Sequence, residues 1–530
     1  MKPHLRDLLI VYLTALVVNG AVAALVRSPG YIDAYYYFNG GVLIAQGRLI
    51  EPYFWNWAAA PPSLPAPAFA YWQPLPSLLA AGGILLAGGS DPFEAAQAVY
   101  IVLGSLIPVL AYLVAAQIGE RRHALIAGLL AAFGGFYAIY WSLPESFTPY
   151  ALAGGGALWL TGLGLSDSGR RSHWLAAGLT AGLAHLTRAD GLLMLLCVLF
   201  CALIPFRGRA ARRRLIDALL AAAGYLLVMA PWFARSMAVF GAALPPGGLN
   251  ALWLVEYNDL FNYPSNLSAA RYFAAGWETI LRVKWEAFTG NLGTFVGVHN
   301  LAFLTPFTLI GAWRMRHERR VLPAFLYGLA LFAAMTFAFS LVGVRGGFFH
   351  SGAALVPFVA PLAVLGLDAA IRWTAQRLPH WQPERAFRGF GMMAVGMAAL
   401  TTAGLVLVRI VGLPDLTRVA WNHDDDAYRE AGDWMDAAGI PADAAVMSNN
   451  PPGFFTLTGR GGIPLVNGDE ADQLRAMAAY GVRYLIINRH VPEGLEPLYL
   501  GEITPRCLTL LGTFGTEDDP FYLYRADCAG

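Results

Sequence analysis

"LLIVYLTALVVNGAVAALVRSPGYIDAYYY", residues 8–37, runs from an uncharged apolar stretch into a turn, a carboxylate at Asp33 and three tyrosines. Residues 8–26 match the roughly 20 that a bilayer-spanning helix needs, and no small-residue cleavage site follows, so they read as a retained first span. The basic "MKPHLR" ahead of them predicts a cytoplasmic N-terminus. Asp33 therefore falls on the outer face.

The rest of the chain agrees with that start. It has 530 residues, 57% hydrophobic and 13% charged, and its mean hydropathy is +0.50. That composition excludes an ordinary soluble enzyme and defines a polytopic membrane protein. A net charge of +1 gives no reason to expect nucleic acid, and no internal repeat is evident.

Apolar runs predict spans at 8–26, 95–118, 124–142, 147–165, 190–206, 215–236, 292–313, 321–341, 351–371 and 389–411, with shorter runs at 74–89 and 173–187. The basic clusters "ERRH", "GRRSH", "RGRAARRR", "RMRHERR" and the stretch 372–388 all become cytoplasmic if 173–187 crosses and 74–89 lies along the outer face. The expectation is an all-α transmembrane domain over 1–411 with about eleven helices, in a bacterial-type inner (plasma) membrane. Its long outer loops are 27–94 and 237–291.

From 412 to 530 acidic residues become frequent and apolar runs short, which predicts a small extracytoplasmic α/β domain. "DDAYREAGDWMDAAG" and "DEADQLRAMAAYG" have helical spacing, and "AAVMSN", "IPLVN" and "VRYLIIN" read as strands. "CLTLLGTF" and "PFYLYRADC" flank a polar turn as a hairpin, which sets Cys507 directly opposite Cys528. In an oxidising compartment that pair predicts a disulfide, against the alternative of two free thiols. Cys197 and Cys201, one turn apart in an apolar span, read as packing residues.

Charged groups at membrane depth are costly and are by default functional or paired. On the predicted outer face they are Asp33, Glu145, Arg188, Asp190, Arg345 and His350. Asp33 has a plain reading as a helix-capping acid. Its company favours more: Tyr35 and Tyr36 beside it, and Tyr71 and Trp72 in "AYWQPLP", suit either an interfacial belt or sugar stacking. A carboxylate raised in pKa by such surroundings can take a proton from a hydroxyl. Arg188 and Arg345 suit a lipid phosphate, or else snorkel or pair locally, Arg188 with Asp190. In the second loop, Trp253, Glu256, Tyr257 and Asp259 are further candidates for sugar or acceptor contacts.

Five features together, "YIDAYYY", "YWQPLPSLL", "LPESF", "LTRADG" and "VRGGFFHSGAALVPFVAPLAVLGL", resemble in order and topology the C-type (GT-C) membrane glycosyltransferases. The resemblance is to the bacterial relatives of protein O-mannosyltransferases and of lipid A aminoarabinose transferase, glycosyltransferase family 39. It implies a polyprenyl-phosphate sugar as donor and inverting transfer to a hydroxyl of an extracytoplasmic lipid, glycan or protein. It makes Asp33 the base, Glu145 a second acid, and Arg188, Arg345 and position 73 the donor-phosphate contacts. Two positions depart from the pattern: Ala34 replaces the second acid of an Asp-Glu pair, and Gln73 stands where Lys or His is usual. With the second acid gone and no other ligand cluster visible in sequence, no metal or other cofactor is expected. The competing class is a transporter or lipid-linked sugar flippase, disfavoured by the absence of repeats and the gathering of charge on one face.

Overall fold

A computed structural model describes residues 4–89, 91–206, 209–245, 247–378, 380–412, 421 and 424–528. The first helix, α1 (Leu5–Ala23), buries a narrow seam of Val11, Ala15, Asn19 and Val22 and leaves Leu9, Leu13 and Val17 exposed. One polar-free outer face on a helix of this length is what lipid contact requires. Among the described residues five helices are long and apolar enough to cross a bilayer: Leu5–Ala23, Pro92–Ile118, Ala211–Phe240, Ser340–Ala375 and Pro383–Val411. The chain is a multi-pass membrane protein of mostly helical build with a small C-terminal sheet.

Three predicted segments differ from the sequence reading. The run 124–142 is helical only over Arg121–Ala132, after which a short 3-10 turn at Gly135–Tyr137 and irregular chain lead toward Glu145. The run 292–313 is not one helix: Gly276–Thr294 passes into a π turn at Phe295–His299, Leu301 and Ala302 take φ of 48° and 56°, and a new helix starts at Thr305. The Asn300 side chain donates to Phe295 O at 2.8 Å, satisfying a carbonyl the helix has released. The predicted loop 237–291 also ends earlier than 291, because Gly276–Thr294 is an amphipathic helix, with Ile280, Val283 and Ala287 buried at helical spacing. Its charged outer face hid it from a search for apolar runs.

After the first span, α2 (Ile32–Ala45) packs on α3 (Leu75–Ala87) through glycine. A Cβ at Gly40 would lie 2.4 Å from Ser77 Oγ, and one at Gly41 2.6 Å from Ala80 Cβ, so only glycine permits this approach. Between them, β1 (Ile50–Glu51) pairs antiparallel with β2 (Ala66–Pro67).

The C-terminal unit contains β3 (Val446–Ser448), β4 (Gly462–Pro464), β5 (Tyr484–Ile487), β6 (Leu508–Thr516) and β7 (Asp519–Ala526), in the order β4-β3-β5-β7-β6. The three predicted short strands are there, as are helices Asp425–Ala437 and Glu470–Tyr480, the second capped by Asp469 and ended by Gly481 in the left-handed region. The sequence reading missed the helix Pro451–Thr458, because its Pro-Pro-Gly start reads as a turn although proline suits a first helical turn. Cys507 and Cys528 are disulfide-bonded. They are not directly opposite, however: a register shift between Leu510 and Gly512 pairs Leu508 with Ala526, and Cys507 O accepts from Asp527 N. A bulge adds one residue to one strand, which a count from the turn cannot detect.

This unit shares its core with the segment between α2 and α3. Phe54 and Trp57 join Met447, Ile463 and Leu485 in one apolar cluster, and Tyr53 forms a parallel bridge with Gly462 that covers the β4 edge.

Candidate active site

Four elements far apart in sequence converge beside the start of α2. Asp33 lies in its first turn, where unpaired backbone N–H groups favour a carboxylate. Glu145 ends an irregular turn and accepts from Phe147 N at 2.8 Å and Ser146 Oγ at 2.9 Å, so it is fixed by the start of helix Phe147–Leu165. His350 follows a π turn in which Gly346 has φ 125°, a conformation that favours glycine. Its ring stacks on Phe147 at 4.0 Å, and its Nδ1 lies 3.1 Å from Ser146 Oγ and 3.3 Å from Glu145 Oε1. One ligand-type atom from each of Asp33, Glu145 and His350 lies within 4.8 Å of the others.

Arg188 caps the end of helix Arg171–Thr187, and its Nε donates to Asp190 Oδ1 and Ser351 Oγ, both at 3.1 Å. Its Nη1 is 3.4 Å from Ser146 Oγ, and among the described residues Nη2 makes no hydrogen bond. Burial works against its charge, but Asp190, Tyr37 and Glu145 outweigh it and raise its pKa. Asp190 also accepts from Ser351 Oγ.

The two carboxylates are pushed apart electrostatically. Burial drives Asp33 up to about 6, with Glu145 raising it and His350 and Arg188 holding it down. Burial raises Glu145 as well, yet His350, Arg188 and the Phe147 N–H together bring it below its ordinary value. Among the described residues Asp33 forms no ion pair, whereas Glu145 faces His350 at 3.3 Å. A separated pair of this kind supplies one permanent anion and one proton acceptor.

The remaining candidates divide. Arg345 carries no salt bridge among the described residues and lies over the Tyr257 ring at 5.1 Å. Gln73 is fully buried, with neither amide atom hydrogen-bonded. Tyr71 and Trp72 are half-buried and contact Trp55, Trp72 by stacking at 4.3 Å and Tyr71 edge-on at 4.9 Å. Tyr35 and Tyr36 are not placed to touch a substrate: Tyr35 turns away to Asp425, and Tyr36 is 2% exposed within a cluster of Tyr53, Phe69 and Trp72. On a helix, successive residues point about 100° apart, so adjacent tyrosines cannot share one wall. Asp259 is likewise structural, held bidentately by Arg271 at 2.6 and 2.7 Å. Trp253 packs edge-on against Tyr272 at 6.1 Å, and Glu256 is exposed.

Sequence reasoning passed over Ser146, Ser351 and Glu51. The serines sit directly after Glu145 and His350, and only the folded chain makes them a bridge between Arg188 and the acids. Glu51 is 4% exposed and accepts from Phe69 N at 3.2 Å. Burial drives its carboxyl up to about 7 against the pull of Tyr36, the Phe69 N–H and Arg235.

Residues 68–234 match the profile of the dolichyl-phosphate-mannose-protein mannosyltransferase family. No curated protein matches the chain in sequence. ArnT from Cupriavidus metallidurans in the apo state is similar in structure over 98% of both chains, with TM-score 0.58 and 13% identity. Its complex with undecaprenyl phosphate gives TM-score 0.55 and 14% identity over 98% of this chain and 97% of that one. The oligosaccharyltransferase AglB from Archaeoglobus fulgidus, in complex with an inhibitory peptide and a dolichol-phosphate, gives TM-score 0.57 and 16% identity over 90% of this chain and 69% of that one. The chain therefore has the fold of the C-type (GT-C) glycosyltransferases, as its motifs suggest.

Proposed function

We propose that the protein is an inverting glycosyltransferase that moves a sugar from a polyprenyl-phosphate donor to a hydroxyl of an extracytoplasmic acceptor. The observation that carries this reading is the convergence of Asp33, a carboxylate without an ion pair among the described residues, with a Glu145–His350 pair and the guanidinium of Arg188. The undecaprenyl and dolichol phosphates in the complexes of ArnT and AglB support the donor class.

In the proposed step Asp33 takes the acceptor hydroxyl proton, and the freed oxygen forms a bond to the anomeric carbon. The bond from that carbon to the phosphate oxygen breaks on the opposite side, and its electron pair leaves with the polyprenyl phosphate, so configuration inverts. Arg188 and Arg345 stabilise the departing phosphate, Arg188 as a fixed fork and Arg345 from above Tyr257. Gln73, fully buried, lies behind this surface, and the half-buried Tyr71, Trp72 and Tyr257 line the sugar path. Glu145 stays ionised and fixes His350 at the proton-accepting end.

The proposal includes a site on the outer face of the inner membrane, about eleven spans, residues 1–411 as the transferase domain and residues 412–530 as an extracytoplasmic domain, which the predicted cytoplasmic placement of the basic clusters supports. Asp33, Glu145 and His350 fit a divalent cation in type, and a zinc-bound form of the A. fulgidus oligosaccharyltransferase exists. Such an ion would be held by these three side chains and would polarise the acceptor hydroxyl. We propose the step without such an ion because Ala34 stands where the resemblance would put a second acid.

The decisive experiment supplies purified protein with a radiolabelled polyprenyl-phosphate sugar and an envelope-lipid extract as acceptor. Labelled product that disappears with Asp33→Asn supports the assignment. Full activity in that variant sinks it, and uptake into sealed vesicles without transfer points to a transporter.

A further inference from the structure

We propose that the C-terminal unit latches the helix that carries Asp33, with Asp425 and Trp421 as positioning residues. This rests on the proposed role of Asp33 and adds a function for the unit that follows the membrane helices.

The first turn of α2 is gripped from outside the membrane domain. Asp425, the first residue of helix Asp425–Ala437 and 4% exposed, accepts a hydrogen bond from Tyr35 Oη, which also lies 3.4 Å from Ser28 Oγ. Trp421 Nε1 donates to Ser28 O at 3.2 Å, and its ring meets Tyr31 edge-on at 5.8 Å. Gly30, at φ 79°, accommodates this ring: a Cβ there would lie 2.1 Å from Trp421 Nε1. One turn beyond Tyr35, Asn39 donates to Pro452 O at 2.8 Å and accepts from Thr456 Oγ1 at 2.8 Å.

Tyr35 and Asn39 stand one turn apart and so share a face, while Asp33, two residues before Tyr35, points about 160° away. The C-terminal unit thus holds one side of α2 and the carboxylate projects from the other. A carboxylate about 6 Å from a helix axis moves about 1 Å when the helix rolls by about 10°. A displacement of that size costs about 100-fold in rate. The grip on Tyr35 and Asn39 opposes that roll. Packing on α3 restrains the second half of the helix, through Ser77 Oγ on Tyr37 O at 2.9 Å and the glycine contacts.

The test uses the full-length protein in nanodiscs with Tyr35→Phe, Asp425→Ala, Asp425→Asn and Trp421→Ala. Hydrogen exchange over residues 28–40 is followed by mass spectrometry, and kcat and the donor KM are measured in parallel. The latch predicts several-fold faster exchange in that segment for Tyr35→Phe and Asp425→Ala. It also predicts a 10- to 100-fold fall in kcat with donor KM within twofold, and recovery in Asp425→Asn, which keeps an acceptor for Tyr35. Tyr35→Phe deletes one oxygen and preserves the ring, so it carries the test if the alanine variants fail to fold. Unchanged exchange over 28–40 overturns the latch, and faster exchange with unchanged kcat overturns its positioning role. Wild-type protein that transfers no sugar removes the proposed function, and exchange over 28–40 then decides whether the latch exists.

Discussion

Two clusters of charge, each with carboxylates, arginines and one histidine, lie in this molecule. In the first, Asp368 is shared by Arg372 at 2.7 Å, His123 at 3.6 Å and Arg122 at 3.8 Å, and Arg122 also reaches Glu120 and Glu384. In the second, Glu145 is paired with His350 and Arg188 with Asp190, but Asp33 is left without an ion pair among the described residues. The residue types are nearly the same. What separates them is that the first cluster ties its central acid to two arginines and a histidine, while the second leaves one acid without an ion pair among the described residues and with its pKa raised to about 6. A carboxylate neutralised by cations has no use as a base, and one raised by burial does.

Swapping the acids for their amides breaks the comparison most sharply. Asp33→Asn is expected to lower transfer about 1,000-fold, whereas Asp368→Asn should leave turnover within about threefold and lower stability by about 1–3 kcal/mol. The stability of Asp33→Asn sharpens it further. Because the folded protein raises the Asp33 pKa to about 6, it binds that proton more tightly than the unfolded chain, and stability falls as pH rises from about 4 to about 6. The amide removes this penalty, so at pH 7.5 its thermal midpoint should equal or exceed that of the wild type. A lower midpoint would contradict the desolvation on which the proposed role of Asp33 as base rests.

Arg188→Ala should cost about 100-fold in kcat/KM, and Arg188→Lys should recover only part of it, since an ammonium cannot bond Asp190, Ser351 and a phosphate in one plane. Titration comes next: kcat/KM for the wild type should fall tenfold per unit below about pH 6, as Asp33 protonates. A profile flat to pH 4 would move the base elsewhere. The smallest effect is expected from chelation, with EDTA changing turnover by less than about twofold. A metal-dependent loss restored by one divalent cation would assign Asp33, Glu145 and His350 to that ion.

Much of this was readable from local pattern. Apolar runs located helices such as Phe147–Leu165 to the residue, and alternation and turns located β3, β4, β5 and the hairpin. Where local rules failed, a long-range effect had overridden them. The break at Leu301 leans on Gly135, where an added Cβ would meet the Leu301 side chain at 2.1 Å, and the bulge near Leu511 displaced the cysteines' register.

By itself the sequence determined the class of chain, many of its apolar helices, the C-terminal α/β unit and the residue types available for chemistry, because hydropathy and periodicity act over a few turns. Only the tertiary structure decided which of those residues meet. It brought Asp33, Glu145 and His350 within 4.8 Å across more than three hundred positions, left Asp33 half-buried beside them, and turned Tyr35 toward Asp425. Proximity and desolvation belong to packing between distant segments, and these convert three ordinary side chains into a candidate base, its partner anion and an imidazole beside them.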